Sequence, residues 1–374
     1  MWGDDAAVGT STNVPVTYVL RSKRIWKTAV TGTPGNVGFS VDLSILGLPN
    51  TGIASDYALM IDANTDFSSG STIHTTGASL VGSTLSFTGV TLSNNNYFTI
   101  AAMNIVIPGG VVGLNVWLKA NSGPLKAGAL PAANGDALVT WQDKSGFGHD
   151  YVGVAGPTLV TNAINFNPSV EILSGGFDAP AGSELGTDWT TFFVSKKLAS
   201  DDVGRVFEGN TGNNLWAHWG NYTNSIFLEG VPSNYNSGIA TTTGIQNLHL
   251  HAYVREAAGG TLEARADGTS LTTFGTSTNP TGVRIDIDAG NYAGTESSDA
   301  RVGEMIIYNS ALTAADVQKI ESYLALKYGM TIAHNYLATD GTVTWNSTTN
   351  STYHNNVTGI GRDDNLSLIH ISEP

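Results

Sequence analysis

Apolar and polar residues alternate along this chain in short pieces. VTYVL, VGFSVDL, YALMI, TLSFTGVTL and YFTIAA come first, and LNVWLKA, ALVTW, TTFFVS, SIFLEG, LHLHAYV, RIDIDAG and EMIIY follow. They recur about every 8–12 residues and are bounded by Gly, Asn, Asp or Pro, the signature of an antiparallel sandwich or barrel. One segment departs from this period. In NSALTAADVQKIESYLALKYG, Val317, Ile320, Leu324 and Tyr328 share one helical face. Thr313, with Asp316 three residues on, supplies a capping-box start, Leu312 and Val317 a hydrophobic staple, and Gly329 the stop. The pattern predicts an all-β chain with one late helix packed on the edge or end of a sheet.

Length divides this chain. Its 374 residues exceed the usual ~100–200 of a single domain. The best boundary is Pro108-Gly109-Gly110, which closes a β-rich block at residue 107 and opens a second with VGLNVWLKANSG. A second boundary lies after Gly329, where the chain turns rich in Asn and Thr. The apolar stretch IAAMNIVIPGGVVGLNVWL is long enough to cross a bilayer, but Asn104, Asn115 and the Pro-Gly-Gly break make it strand, linker, strand.

Charge and composition exclude some partners. With 31 acidic and 17 basic residues the net charge is −14, and no basic stripe is present to neutralise phosphates. Nucleic acid is therefore not an expected partner. Only 13% of residues are charged, against a typical ~25%, so Thr, Ser, Asn and Gly must dress the surface. The chain has no cysteine, which removes disulfides and thiolate zinc sites. The one basic cluster, RSKRIWK, reads as a charged strand edge that discourages further pairing. No secretory leader precedes the first strand pattern, so an export signal is expected outside this stretch.

Candidate chemistry is sparse. No G-x-S-x-G, H-E-x-x-H or phosphate loop occurs. A glycosidase needs two carboxylates facing each other, about 5–9.5 Å apart, and the nearest pattern is RIDIDAG, where Asp286 and Asp288 share a face with Arg284 as a solvated or ion-paired edge. In HLHAY, His249, His251 and Tyr253 alternate with Leu250, Ala252 and Val254; two imidazoles at i and i+2 can start a metal site, but with no third ligand nearby in sequence the pair reads as the wet face of a strand. LWAHWGNY offers Trp216, Trp219 and Tyr222 as flat faces for a sugar ring, with His218 and Asn221 as hydrogen-bonding neighbours. The alternative for these rings is the sandwich core. DANTDFSSG sets Asp62, Asn64 and Asp66 at the alternate positions of a calcium loop, but Phe67 replaces the required Gly and Ile73 stands at position twelve. Asx turns account for that spacing equally well.

Four pieces, GLNVWLKANSG, VTWQDKSGFGHDY, INFNPSVEI and RVGEMIIYNSALTAADVQKIESYLALKYGMTI, resemble the laminin-G-like, concanavalin A-like jelly-roll domain of large secreted bacterial surface and adhesin-type proteins. The resemblance covers residues 108–335 and implies a two-sheet antiparallel jelly-roll sandwich with one C-terminal helix. It nominates Asp143 and Glu304 as calcium ligands, although the family's SGNGN loop is here SGFGHD. The flanks resemble parts of the β domain of unknown function that accompanies it. Residues 1–107 look like its C-terminal part, itself β-sandwich-like, and residues 336–365 like the N-terminal part of a second copy. LSLIHISEP (366–374) resembles a translated sequencing adapter and is expected to be a scar. These resemblances imply a non-catalytic adhesion or display module, extracellular or on the cell surface, with a polysaccharide or cell-surface glycan and neighbouring domains of the same chain as partners. Calcium is the only cofactor they suggest. The alternative is an ancillary or catalytic jelly roll of a carbohydrate-active enzyme.

Overall fold

The computed structural model describes residues 1–15, 18, 20–33, 35–48, 54–102, 107–173, 175–198, 204–219, 222–227, 247–275, 282–288, 296–357, 360–363 and 368–371. Nearly all of its regular structure is antiparallel β. The chain separates into two compact units, one mainly Met1–Gly113 and the other mainly Leu114–Asp143 with His149–Gly361.

The first unit holds a seven-stranded and a three-stranded sheet. Tyr97–Ala102 lies at the centre of the larger one, between Trp26–Thr28 and Leu20–Ser22 on one edge and Tyr57–Asp62 on the other. Trp26 stacks on Phe98 at 5.4 Å, and Phe39 of the small sheet meets both rings edge-on. The basic cluster is not the exposed edge that the sequence suggests. Leu20–Ser22 is paired on both sides, and Arg21 is buried, its guanidinium 4.9 Å from the Phe67 ring and donating to the carbonyls of Asn13 and Ser22. An Arg whose donors find carbonyls and whose plane finds an aromatic face can be buried at little cost.

The second unit is a sandwich of an eight-stranded and a nine-stranded sheet, with the core between them. In the first sheet Ala300–Tyr308 pairs with Leu114–Lys119, Asn167–Ile172 and Trp189–Lys197, and the last of these continues to His249–Glu256, Thr261–Ala266 and Thr269–Gly275. The second sheet runs through Tyr151–Val154, Gly176–Asp178, Ile285–Ile287 and Arg205–Gly209 to a terminal hairpin, Leu215–Trp219 with Tyr222–Phe227. Phe193 and Phe207 meet across the core at 4.2 Å between ring centroids.

The helix Ala314–Tyr328 starts and stops where the sequence puts it. Thr313 Oγ1 accepts from the Asp316 N–H at 3.2 Å, and Gly329 takes the left-handed conformation at φ 60°. Its burial is wider than one stripe, since Glu321, Ser322, Tyr323 and Ala325 are buried along with Val317, Ile320, Leu324 and Tyr328. The reason is its seat. It covers the outer face of the first sheet, where Arg265 makes a two-pronged pair with Glu321, both contacts at 3.0 Å, and Glu304 reaches Tyr323, Lys327 and Tyr328. That sheet is thus covered on both faces, by the other sheet and by the helix. A small hairpin, Tyr336–Leu337 with Val343–Trp345, then packs back on the helix, with the Leu337 N–H donating to Ser322 Oγ at 3.0 Å.

Candidate ligand surface and metal positions

The aromatic hairpin separates its rings. Trp216 is cross-strand partner of Phe207 and Trp219 of Arg205, with a bulge between. Between these pairs one residue, Val206, is matched by two, Ala217 and His218, so the regular alternation of faces is broken there. Ala217, at φ 67°, carries the distortion. Trp216 is fully buried, edge-on to Trp189 at 6.3 Å. It has no face to offer a ligand, and its role is packing. Trp219 lies farther toward the end of the sandwich and keeps part of its surface in solvent. The Arg205 guanidinium sits 5.4 Å from its ring centroid. Arg205 is itself fixed by Glu296 at 2.7 Å, Asn213 Oδ1 at 2.7 Å and the Asn214 carbonyl at 3.3 Å. Tyr222 is the cross-strand partner of Trp219. Asn221 and the Tyr222 side chain fall outside the described residues.

His218 is not a surface neighbour of these rings. It is buried, with Nε2 3.0 Å from Ser195 Oγ of the opposite sheet and Nδ1 without a partner. His249 and His251 are also inside, which reverses the wet-face expectation. They pair in register with Ser195 and Phe193, and Phe193 is a core residue. Burial, reinforced by neighbouring His249 and Lys197, holds His218 well below the usual imidazole range, and burial with His218 and His249 does the same to His251. Ser195 and His218 have the spacing of a nucleophile and base, but with both at zero exposure no substrate reaches them.

The nominated calcium positions are engaged by donors of the protein itself. Glu304 Oε1 accepts from Trp117 Nε1 at 2.6 Å and the Tyr323 hydroxyl at 3.0 Å, and Oε2 from Lys327 Nζ at 2.5 Å and the Tyr328 hydroxyl at 3.1 Å. A carboxylate offers about four acceptor positions, and all are filled by the protein. The same carboxylate pushes the Tyr323 and Tyr328 hydroxyls up, after burial itself. Asp143 is likewise used structurally, accepting from the Trp117 N–H at 2.8 Å and the His149 N–H at 3.0 Å. In the first unit, Asp62, Asn64 and Asp66 form a ladder of Asx turns. Each side-chain oxygen takes the N–H two residues on, at 3.1, 2.6 and 3.0 Å. Hydrogen bonds, the first from Asn13, hold the Asp66 carboxyl down to about 2. Among the described residues no group of three His, Cys, Asp or Glu is arranged to hold a metal. Addition of a calcium chelator is expected to leave the melting temperature unchanged. A fall of several degrees that calcium restores would contradict this account of both positions.

One carboxylate pair escapes sequence reading. Glu208 and Asp286 are direct cross-strand partners, 2% and 1% exposed, and the Ala179 N–H donates to Asp286 at 2.8 Å. The expected solvated edge is thus buried, as is Asp288. Separation alone cannot make such a pair catalytic, because glycoside hydrolysis needs sugar and water between the two carboxylates.

Comparison with known proteins gives one family match. A family described as Domain of unknown function (DUF8202) matches residues 1–96 and 316–371, on either side of most of the sandwich and less than half of the chain. No curated protein matches. Among solved structures, the binding domain of Paraclostridial Mosquitocidal Protein 1 is similar at 12% identity and TM-score 0.37, over 60% of this chain and 54% of that one. Botulinum neurotoxin type C, in a structure described by its interaction with two ganglioside molecules, is similar at 11% and 0.38, over 54% of each chain. A leech intramolecular trans-sialidase is similar at 20% and 0.31, over 41% of this chain and 26% of that one. The match spans about half of the two toxin chains and about a quarter of the leech enzyme. Likenesses this distant assign no ligand to the chain.

Proposed function

We propose that this chain is a non-catalytic binding and display module of an exported surface protein, and that it takes a neutral glycan on Trp219. The observation that carries the reading is the split within the aromatic hairpin. Trp216 is spent on the core, while Trp219 keeps surface in solvent and is backed by an arginine that three neighbours immobilise. A rigid indole at the end of a sandwich is a stacking platform for a sugar ring, and fixing it beforehand lowers the entropy cost of binding. The net charge of −14 opposes approach of anionic glycans, so neutral hexoses are the favoured class. The burial of Glu208 and Asp286 supports the non-catalytic reading over hydrolysis.

The flanks support a place in a larger assembly. One family of unknown function matches on both sides of the sandwich, as it would if parts of two copies of one β domain bracketed a jelly roll. Among the described residues no helix is long and apolar enough to cross a membrane, and an extracellular or cell-surface setting is part of this proposal.

A glycan array tests the binding claim. The unaltered chain is expected to retain a set of neutral oligosaccharides, and Trp219→Ala to lose at least tenfold in signal with its melting temperature within a degree or two. No retention by the unaltered chain, or equal retention by Trp219→Ala, would overturn the proposal.

A further inference from the structure

We propose that three histidines buried between the sheets make the Leu215–Phe227 hairpin an acid-sensitive latch. The proposal does not depend on the glycan reading. His218 projects from the hairpin and meets two residues of the opposite sheet, Ser195 by a 3.0 Å hydrogen bond and His251 by an edge-on ring contact at 4.9 Å. His251 in turn touches His249 at 5.8 Å, and His249 Nδ1 lies 2.8 Å from Asp267 Oδ2 at the outer end of the chain of rings. His218 and His251 are inaccessible to solvent, and so is Lys197 on the strand that carries Ser195. Among the described residues, Lys197 and His249 bear on these rings, and both oppose protonation. From the hairpin's neighbouring strand comes Arg205, occupied by Glu296.

The hairpin is suited to move because it ends its sheet. Leu215–Trp219 is bonded to Arg205–Gly209 and to its own partner, and Tyr222–Phe227 has no further strand beside it in that sheet among the described residues. Opening it breaks the pairing with Arg205–Gly209, the Ser195–His218 bridge and the bond from the Ala217 N–H to the Tyr253 hydroxyl, and lifts Trp216 and Ile226 from the core, while the strands of the opposite sheet stay paired. The closed form holds both imidazoles neutral in a dry interior beside Lys197. An opened form lets them charge in water at their ordinary value near 6.5. The sign follows directly. The open state binds protons that the closed state refuses, so closure is complete above about pH 6.5 and weakens as pH falls below it, by up to tenfold per pH unit for each histidine. Two such groups give up to a hundredfold per unit.

Hydrogen exchange on the full chain between pH 7.5 and 5.0, corrected for intrinsic rates, reads this directly. Protection at 215–219 is expected to fall at least tenfold per unit below pH 6.5, while the central strand Ala300–Tyr308 keeps its protection. In the double variant His218→Gln, His251→Asn the slope is expected to vanish. Gln retains a side-chain donor for Ser195, and a loss of stability at pH 7.5 would shift the level of protection and not its slope. Unchanged protection of the unaltered chain across this range would overturn the latch. So would a double variant that keeps the original slope.

Discussion

Replacing Glu304 by alanine is expected to cost about 3–5 kcal/mol of unfolding free energy, the range for removing one partner of a buried ion pair. The carboxylate has no solvent-exposed side-chain surface, and Lys327 has 9%. Without Glu304 the ammonium is left buried, and the Trp117 indole and two tyrosine hydroxyls lose their acceptor. Glu304→Gln is expected to cost less, since an amide oxygen still accepts from Trp117 and Tyr323. In the double variant Glu304→Leu, Lys327→Met much of the loss should return, because an apolar pair of similar volume avoids both the desolvated charge and the empty space. Urea unfolding of the four proteins checks this. Equal stability of Glu304→Ala and the unaltered chain would mean that the helix is not pinned to the sheet through this carboxylate.

Trp216→Ala is expected to destabilise the sandwich by about 3–5 kcal/mol, as for other large-to-small changes at fully buried aromatic positions. The indole packs on Trp189 and stands in register with Phe207. Its loss therefore opens a cavity between the sheets and also unseats the hairpin. The contrast with Trp219→Ala is the informative part. One indole is expected to carry stability and the other binding, and thermal melts of both variants beside their glycan retention separate the two roles. A Trp216→Ala protein that melts with the unaltered chain would contradict the assignment of this ring to the core.

The all-β class and both ends of the helix were legible from the sequence because each is set by local chemistry; VTYVL lies mostly outside the described residues. Alternation marks a strand, Thr313 caps the helix whatever lies above it, and Gly329 relieves the left-handed turn at little cost. Which face of a strand points where was less legible. In LHLHAYV the polar positions face the interior and Leu250 and Ala252 face the helix side of the sheet, because this sheet is covered on both faces. Alternation identifies an inner face only when the other face meets water. Asp286, on the other sheet, alternates with the core residues Ile285 and Ile287 and is buried all the same, which alternation does not reveal. The Trp216 bulge was hidden as well, since one inserted residue changes the face of every position after it, and nothing in LWAHWGNY announces it. The calcium expectations relied on spacing, and spacing does not show whether a carboxylate is already occupied. The hydrogen bonds to Glu304 show its acceptor positions in use, and the Asx turns at Asp62 and Asp66 give that spacing a second account.

The most direct test of the central claim is nitrogen-15 NMR of the indole N–H groups while the chain is titrated with the neutral oligosaccharides that the array retains. The Trp219 signal is expected to shift in a saturable way while those of Trp216, Trp189 and Trp117 stay in place. Binding that leaves the Trp219 signal unmoved would contradict the account.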